Sequence, residues 1–173
     1  KPEDVKNYVD TCIERYGKID YFFNNAGIEG KVAPLEEYPD DIFYTVIELN
    51  VKRPYLGIKH VIPKIENGGS IVITSSVAGL QGSPKMVSYI TSKHAVIGIM
   101  RTAALELGKR NVRVNCVNPG SVDNRMMRSL EDGVNPGHGD DVKKAYEATI
   151  PLGRYATPED ISPVSYTHLR AHE

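Results

Sequence analysis

A tyrosine, a lysine and a serine can between them move a proton at a carbon–oxygen bond. Tyr89 and Lys93 in "SYITSK" stand four residues apart, the separation that puts two side chains on one helix face. A phenol titrates at about 10, too high for easy ionisation at neutral pH. A neighbouring ammonium favours the phenolate and lowers that value. Ser76 precedes Tyr89 by thirteen residues, and the stretch between them holds Gly79, Gly82 and Pro84. Such a loop can fold back and bring the two hydroxyls together. The Tyr-x-x-x-Lys spacing alone is weak: ten tyrosines and twelve lysines in 173 residues give about 0.7 such pairs by chance. A second copy exists, Tyr55 and Lys59 in "YLGIK". Thirteen residues before Tyr55 stands Ile42, inside a helical pattern, so that pair reads as solvated or subunit-facing.

The elements that must position these residues are legible as alternation. "IDYFFN" (19–24), "SIVITS" (70–75) and "VRVNCV" (112–117) are short, β-branched or aromatic runs. Their near-continuous apolarity is that of strands covered on both faces. Helical patterns separate them, over 40–65 and over 88–109, the latter with Val96, Ile97, Met100, Ala103, Ala104 and Leu107 at three- and four-residue spacing. Strand, helix, strand, helix, strand predicts right-handed crossovers and an α/β, doubly wound parallel sheet, Rossmann-like and incomplete. In such sheets ligands bind beyond the carboxyl ends of the strands. The three exits, "NNAG", "SSVAGLQG" and "NPGSVDN", are all rich in small and polar residues, which predicts a ligand edge.

Asn50 is singled out by its neighbour. An α-helix bonds the N–H of each residue to the carbonyl four residues back, and Pro54 has no N–H. The Asn50 carbonyl therefore loses its helical partner and needs another donor.

Taken together, "NNAG" at 24–27, the Asn in "ELNV" at 50, Ser76, "YITSK" at 89–93 and "NPG" at 118–120 resemble the short-chain dehydrogenase/reductase family, in its order and separations, from residue 1 to about 161. The resemblance implies an oxidoreductase that moves a hydride between NAD or NADP and a secondary alcohol or ketone. It implies Tyr89 as general acid/base, Ser76 as the group orienting the substrate oxygen, Lys93 as the partner of Tyr89 and holder of the nicotinamide ribose, and Asn50 as holder of a relay water. Asn25, Ala26 and Gly27 would line the adenosine side, and Pro119, Gly120 and Val122 the nicotinamide side. Asn24 would bond neighbouring strands, and Ser75 would be structural. Asn124 departs from the threonine frequent in the family, which weakens the inference of a cofactor contact there. Residues 125–151 would form a lid, with Met126 and Met127 lining an apolar pocket or filling core. A homotetramer or homodimer packed through the helices at 40–65 and 88–109 is implied as well. Two alternatives stay open: an extended-type epimerase or dehydratase, and a non-catalytic dinucleotide-binding relative.

Composition sets the remaining bounds. A net charge of −1 and 25% charged residues point to neither nucleic acid nor an anionic membrane as partner. Cys12 and Cys116 read as buried free thiols of a reducing, cytoplasmic compartment. His138 beside Asp140 and Asp141 reads as a solvated loop rather than a metal site, and His60 and His94 as helix residues. The only Gly-x-Gly is "GHG" at 137–139, with no strand before it, so the glycine turn of a dinucleotide site is not in this sequence. The chain opens on a helix already under way, without an initiator Met, and is read as a fragment. Residues 1–163 are expected to form a partial dinucleotide-binding domain. The last ten, "VSYTHLRAHE" (164–173), resemble a reading frame of a sequencing adaptor and are read as an artefact tail.

Overall fold

The computed structural model describes residues 2–170. The elements run α1 (Pro2–Tyr16), β1 (Ile19–Asn24), α2 (Asp40–Ile47), a π-helical turn (Glu48–Lys52), α3 (Arg53–Val61), β2 (Ile65–Thr74), α4 (Val87–Leu107), β3 (Arg113–Val117), α5 (Arg125–Val134), α6 (Gly139–Glu147) and α7 (Pro158–Arg170). The three strands form one parallel sheet in the order β1-β2-β3, with Phe23 beside Val72 and Ile73 beside Cys116. This is the expected α/β architecture, and three strands make it an incomplete doubly wound sheet.

Central β2 is sealed on both faces, with Ile71, Val72 and Ile73 at most 1% exposed. Side chains alternate along a strand, so Ile71 and Ile73 join the core formed with Val61 of α3, Val96 of α4 and Val114 of β3. Ser70 points to the opposite face, where its Oγ donates to the His168 carbonyl at 3.0 Å. Arg113 reaches the same end of α7, donating to the carbonyls of His168 (2.7 Å) and Leu169 (2.8 Å). Residues 164–170 thus continue α7 against the sheet, while 171–173 lie outside the described residues.

Two expectations need correction. β1 is not covered on both faces: Tyr21 is 46% and Phe23 43% exposed, both on the one face to which alternate side chains point. β2 begins at Ile65, inside the stretch expected to be helical, and the preceding helix ends at Val61. The polar "ENGG" joins the strand through an irregular register between Ile19 and Tyr21, the local disruption that marks a bulge. The helix over 40–61 is not uniform, in line with the helical bond that Pro54 cannot make. It widens at Glu48–Lys52 into a π turn in which the Arg53 N–H donates to the Glu48 carbonyl, five residues back. Pro54 follows directly, and an insertion of this kind relieves the helix of a bond that proline cannot make.

Candidate active site

The three strand exits lock together before they make a site. Thr74 Oγ1 at the end of β2 donates to Asn25 Oδ1 at 2.8 Å, joining the first exit to the second. The backbone N–H groups of Ser75 and Val77 donate to the carbonyls of Val117 (2.9 Å) and Pro119 (3.0 Å), joining the second exit to the third. Ser75 Oγ is spent on the Lys93 carbonyl at 2.9 Å, in keeping with a structural part. Gly79 packs where no larger residue fits: a Cβ there would stand 2.7 Å from the Lys93 carbonyl and 2.6 Å from Ser75 Oγ. The turn that follows Ser76 is thereby pressed onto α4.

The exits, α4 and the segment from α5 to α7 line one cavity of about 1110 Å³. Its walls bring together Asn25, Ala26, Gly27, Ser76, Tyr89, Lys93, Pro119, Gly120 and Val122. Asn50 is not on the wall. It lies behind Gly27, 2% exposed, and its side chain binds protein: Oδ1 accepts from the Ile28 N–H (2.8 Å), and Nδ2 donates to the Ile28 carbonyl (2.7 Å) and to Ser92 Oγ (3.1 Å). Asn50 therefore fastens the first exit loop to α4. Gly27 makes this approach possible, since a Cβ on it would stand 3.2 Å from Asn50 Oδ1 and 3.6 Å from Lys93 Nζ.

Lys93 is 6% exposed, and its ammonium makes a single hydrogen bond, to the Thr74 carbonyl at 3.0 Å. Burial pulls its pKa down from 10.5 to about 8, so the group remains mostly protonated at neutral pH. An ammonium carries three donors, and two stay available toward the cavity. That donor set suits a pair of vicinal hydroxyls, as on a ribose.

The Tyr89 phenol does not follow the expectation drawn from its lysine. Burial raises its pKa, hydrogen bonding with Ser76 opposes the rise, and the Glu29 carboxylate adds to it. Desolvation of a phenolate outweighs the favourable contacts in this cavity. Ser76 Oγ also donates to the Pro119 carbonyl (3.3 Å) and accepts from the Ala78 N–H (3.2 Å), which fixes the hydroxyl at the strand end.

Both Tyr-x-x-x-Lys pairs have the same internal shape, and burial separates them. Lys93 Nζ lies 5.4 Å from the Tyr89 ring centre and Lys59 Nζ 5.9 Å from that of Tyr55. Tyr55 is 47% exposed and does not line this cavity. Spacing makes the pair; tertiary burial gives it a chemical environment.

Several other expectations are placed differently. Asn24 Nδ2 donates to the Pro54 carbonyl at 3.2 Å, so it ties strand to helix rather than strand to strand. Asn124 caps α5, its Oδ1 accepting from the Met127 N–H at 3.1 Å, and it also lines the cavity with Met126 and Met127. Cys12 and Cys116 are free and only half-buried, and burial pushes the Cys116 thiol up to about 11. His138 and Asp141 make an exposed 3.7 Å pair. Among the described residues no group of three or more His, Cys, Asp or Glu is placed to hold a metal, and no helix is long and apolar enough to cross a membrane.

Sequence reasoning missed Glu29, which is 7% exposed and receives Arg125 of α5 in two bonds of 2.8 and 3.1 Å. Burial works against this carboxylate, but Arg125, Ser129 and a backbone bond together hold it below its ordinary value. The signal available was an acidic residue in an otherwise small-residue exit, "GIEG". Its partner stands 96 residues away, and no local pattern announces it.

A sequence family described as enoyl-(acyl carrier protein) reductase matches residues 1–167. The chain belongs to the short-chain dehydrogenase/reductase family. It is 33% identical over 162 residues to levodione reductase of Leifsonia aquatica, covering 92% of this chain and 61% of that protein. It is 35% identical over 164 residues to a 3-oxoacyl-(acyl-carrier-protein) reductase of Thermotoga maritima, covering 94% and 63%. The chain therefore spans about three-fifths of the length of these family members. Among solved structures, levodione reductase superposes with a TM-score of 0.94 at 32% identity, over 98% of this chain and 66% of that one. NAD+-bound xylitol dehydrogenase superposes with a TM-score of 0.90 at 33% identity, over 98% and 69%.

Proposed function

We propose that this chain is the catalytic part of an NAD(P)-dependent oxidoreductase acting on a secondary alcohol or ketone. The observation that carries the reading is one cavity wall holding a serine hydroxyl, a buried tyrosine hydroxyl and a buried ammonium with donors to spare. Lys93 would hold the ribose hydroxyls of NAD or NADP, with Asn25, Ala26 and Gly27 along the adenosine side and Pro119, Gly120 and Val122 along the nicotinamide side. The cofactor, when bound, supplies or accepts the hydride.

The chain's own residues handle the oxygen. In the reducing direction the Ser76 hydroxyl turns its one proton from the Pro119 carbonyl to the substrate carbonyl, orienting and polarising it. Tyr89 then gives its phenolic proton to that oxygen as hydride reaches the carbon, so that ketone, hydride and proton become the alcohol. The raised pKa of Tyr89 keeps the phenol protonated and ready to donate. Lys93, charged at neutral pH, stabilises the phenolate left behind, and a proton from solvent restores the phenol. Asn50 keeps the Gly27 loop and α4 in register, and a water on its backbone carbonyl would link Lys93 to solvent.

A cytoplasmic, homotetrameric or homodimeric enzyme goes with this reading, supported by the free cysteines and the exposed Tyr44 and Tyr55 on the helices at 40–61. The catalytic domain would be residues 1–163, with 164–173 an appended tail, a division supported by the break in sequence pattern after Pro163. The test is turnover in the protein at full family length. Tyr89→Phe should lower kcat by about 10²–10⁴ while dinucleotide binding, read by NAD(P)H fluorescence, persists; Tyr55→Phe should change neither. Retained turnover in Tyr89→Phe would sink the assignment.

A further inference from the structure

The charge pattern around the cavity narrows the substrate. Among the residues lining it, Lys93 is the one charged side chain. The lid does carry cations, but they are turned to carboxylates outside the wall. Arg125 is held by Glu29, Arg128 by Asp123 (3.0 Å) and buried Glu131 (2.9 Å), and Lys143 by Asp123 (2.7 Å). Lys144 is exposed and lines no part of the cavity. What the lid presents inward is Met126, Met127, Leu130 and Val134 of α5 and Ile150 beyond α6, facing Met86 across the space. Two polar side chains beside these serve the segment itself, since Asn124 caps α5 and Thr149 Oγ1 donates to the Tyr146 carbonyl at 2.7 Å; Gln81, Ser83 and Ser121 line the cavity nearer the strand exits, and Tyr146 lines it from α6.

We propose that the substrate is an uncharged, largely hydrocarbon ketone or secondary alcohol, cyclic or branched. Its single oxygen sits between Ser76 and Tyr89, and its carbon body lies against Met126, Met127 and Leu130. This rests on the oxidoreductase reading above. A carboxylate or phosphate on the substrate would meet an apolar wall without a counter-ion, and buried unpaired charge is strongly unfavourable. A polyhydroxy ketone seated against Met126, Met127 and Leu130 would leave the hydroxyls on that side unsatisfied. Two unbranched, polarisable methionines fill gaps adaptively, which suits ring or branched carbon rather than one rigid outline.

The experiment separates this inference from the reading it rests on. Binding of cyclohexanone, 4-oxopentanoate and dihydroxyacetone is measured by saturation-transfer NMR in the Tyr89→Phe protein, where no turnover is needed. Cyclohexanone is expected to bind at least about a hundredfold more tightly than either polar probe. Met127→Lys should reverse the order in favour of 4-oxopentanoate. Val134→Lys, at a position already 43% exposed and so tolerant of the change, should do the same if Met127→Lys fails to fold. Comparable or tighter binding of a polar probe to the unaltered cavity, or no binding of cyclohexanone, overturns the inference. Turnover retained by Tyr89→Phe would instead overturn the oxidoreductase reading, whatever the order of binding.

Discussion

Replacing Lys93 by methionine keeps the length of the side chain and removes its charge, and the consequence can be worked from the site. The ammonium is buried, and its pKa falls from 10.5 to about 8, a difference corresponding to about 3 kcal/mol. The sign follows from proton counting. Between pH 8 and 10.5 the unfolded chain keeps the Lys93 proton while the folded chain has lost it, so stability rises with pH across that window. Below pH 8 both states are protonated and the full cost of burying the charge is present; above 10.5 it has gone. Lys93→Met removes this dependence. It also leaves the Thr74 carbonyl without its donor, a pH-independent loss of about 1–3 kcal/mol, so the absolute order of stability at one pH is not informative. The difference between the two proteins across pH is. Urea unfolding at pH 7 and pH 10, with stability obtained by linear extrapolation, should find the wild type gaining about 2–3 kcal/mol relative to Lys93→Met. Surface titrations cancel in that difference, and Cys116, with its pKa at about 11, stays largely neutral throughout. A flat difference between pH 7 and pH 10 would refute a desolvated ammonium at Lys93, and with it the electrostatic basis of the proposed proton transfer.

Two further substitutions probe the scaffold behind the site. Asn50→Ala removes three side-chain hydrogen bonds and strands the N–H and carbonyl of Ile28, which should destabilise the fold by about 2–4 kcal/mol, read as a lower urea midpoint. Asn50→Asp keeps the acceptor for the Ile28 N–H but sets a carboxylate oxygen against the Ile28 carbonyl at a site 2% exposed, so it should destabilise at least as much as Ala. Gly79→Ala places a methyl 2.7 Å from the Lys93 carbonyl, so the turn after Ser76 must move. The expected result is a destabilisation of about 1–3 kcal/mol and, at full family length, a fall in kcat; a Gly79→Ala protein with unchanged kcat would show that the turn does not hold Ser76 in place.

Local chemistry determined a good part of this molecule. Near-continuous apolar runs, three- and four-residue helical spacing, strand exits rich in small residues and the order strand, helix, strand sufficed for a parallel α/β sheet with a cavity beyond Asn24, Thr74 and Val117. The offset from Ser76 to Tyr89 selected the Tyr-x-x-x-Lys pair that lines the cavity over its exposed copy at Tyr55 and Lys59, because a strand end and a glycine-containing loop are written in contiguous residues. Pro54 announced an irregular helix, since a missing N–H is a covalent fact. Tertiary structure alone decided the rest. Only packing left one face of β1 exposed at Tyr21 and Phe23, sent Asn24 to Pro54 and turned the Asn50 side chain to Ile28 and Ser92. Only packing raised the Tyr89 pKa that its lysine was expected to lower, and drew the lid's arginines away from the cavity to Glu29, Asp123 and Glu131. Spacing along a chain encodes which residues share a face. Desolvation and pairing depend on what arrives from tens of residues away, and those terms govern how the shared face reacts.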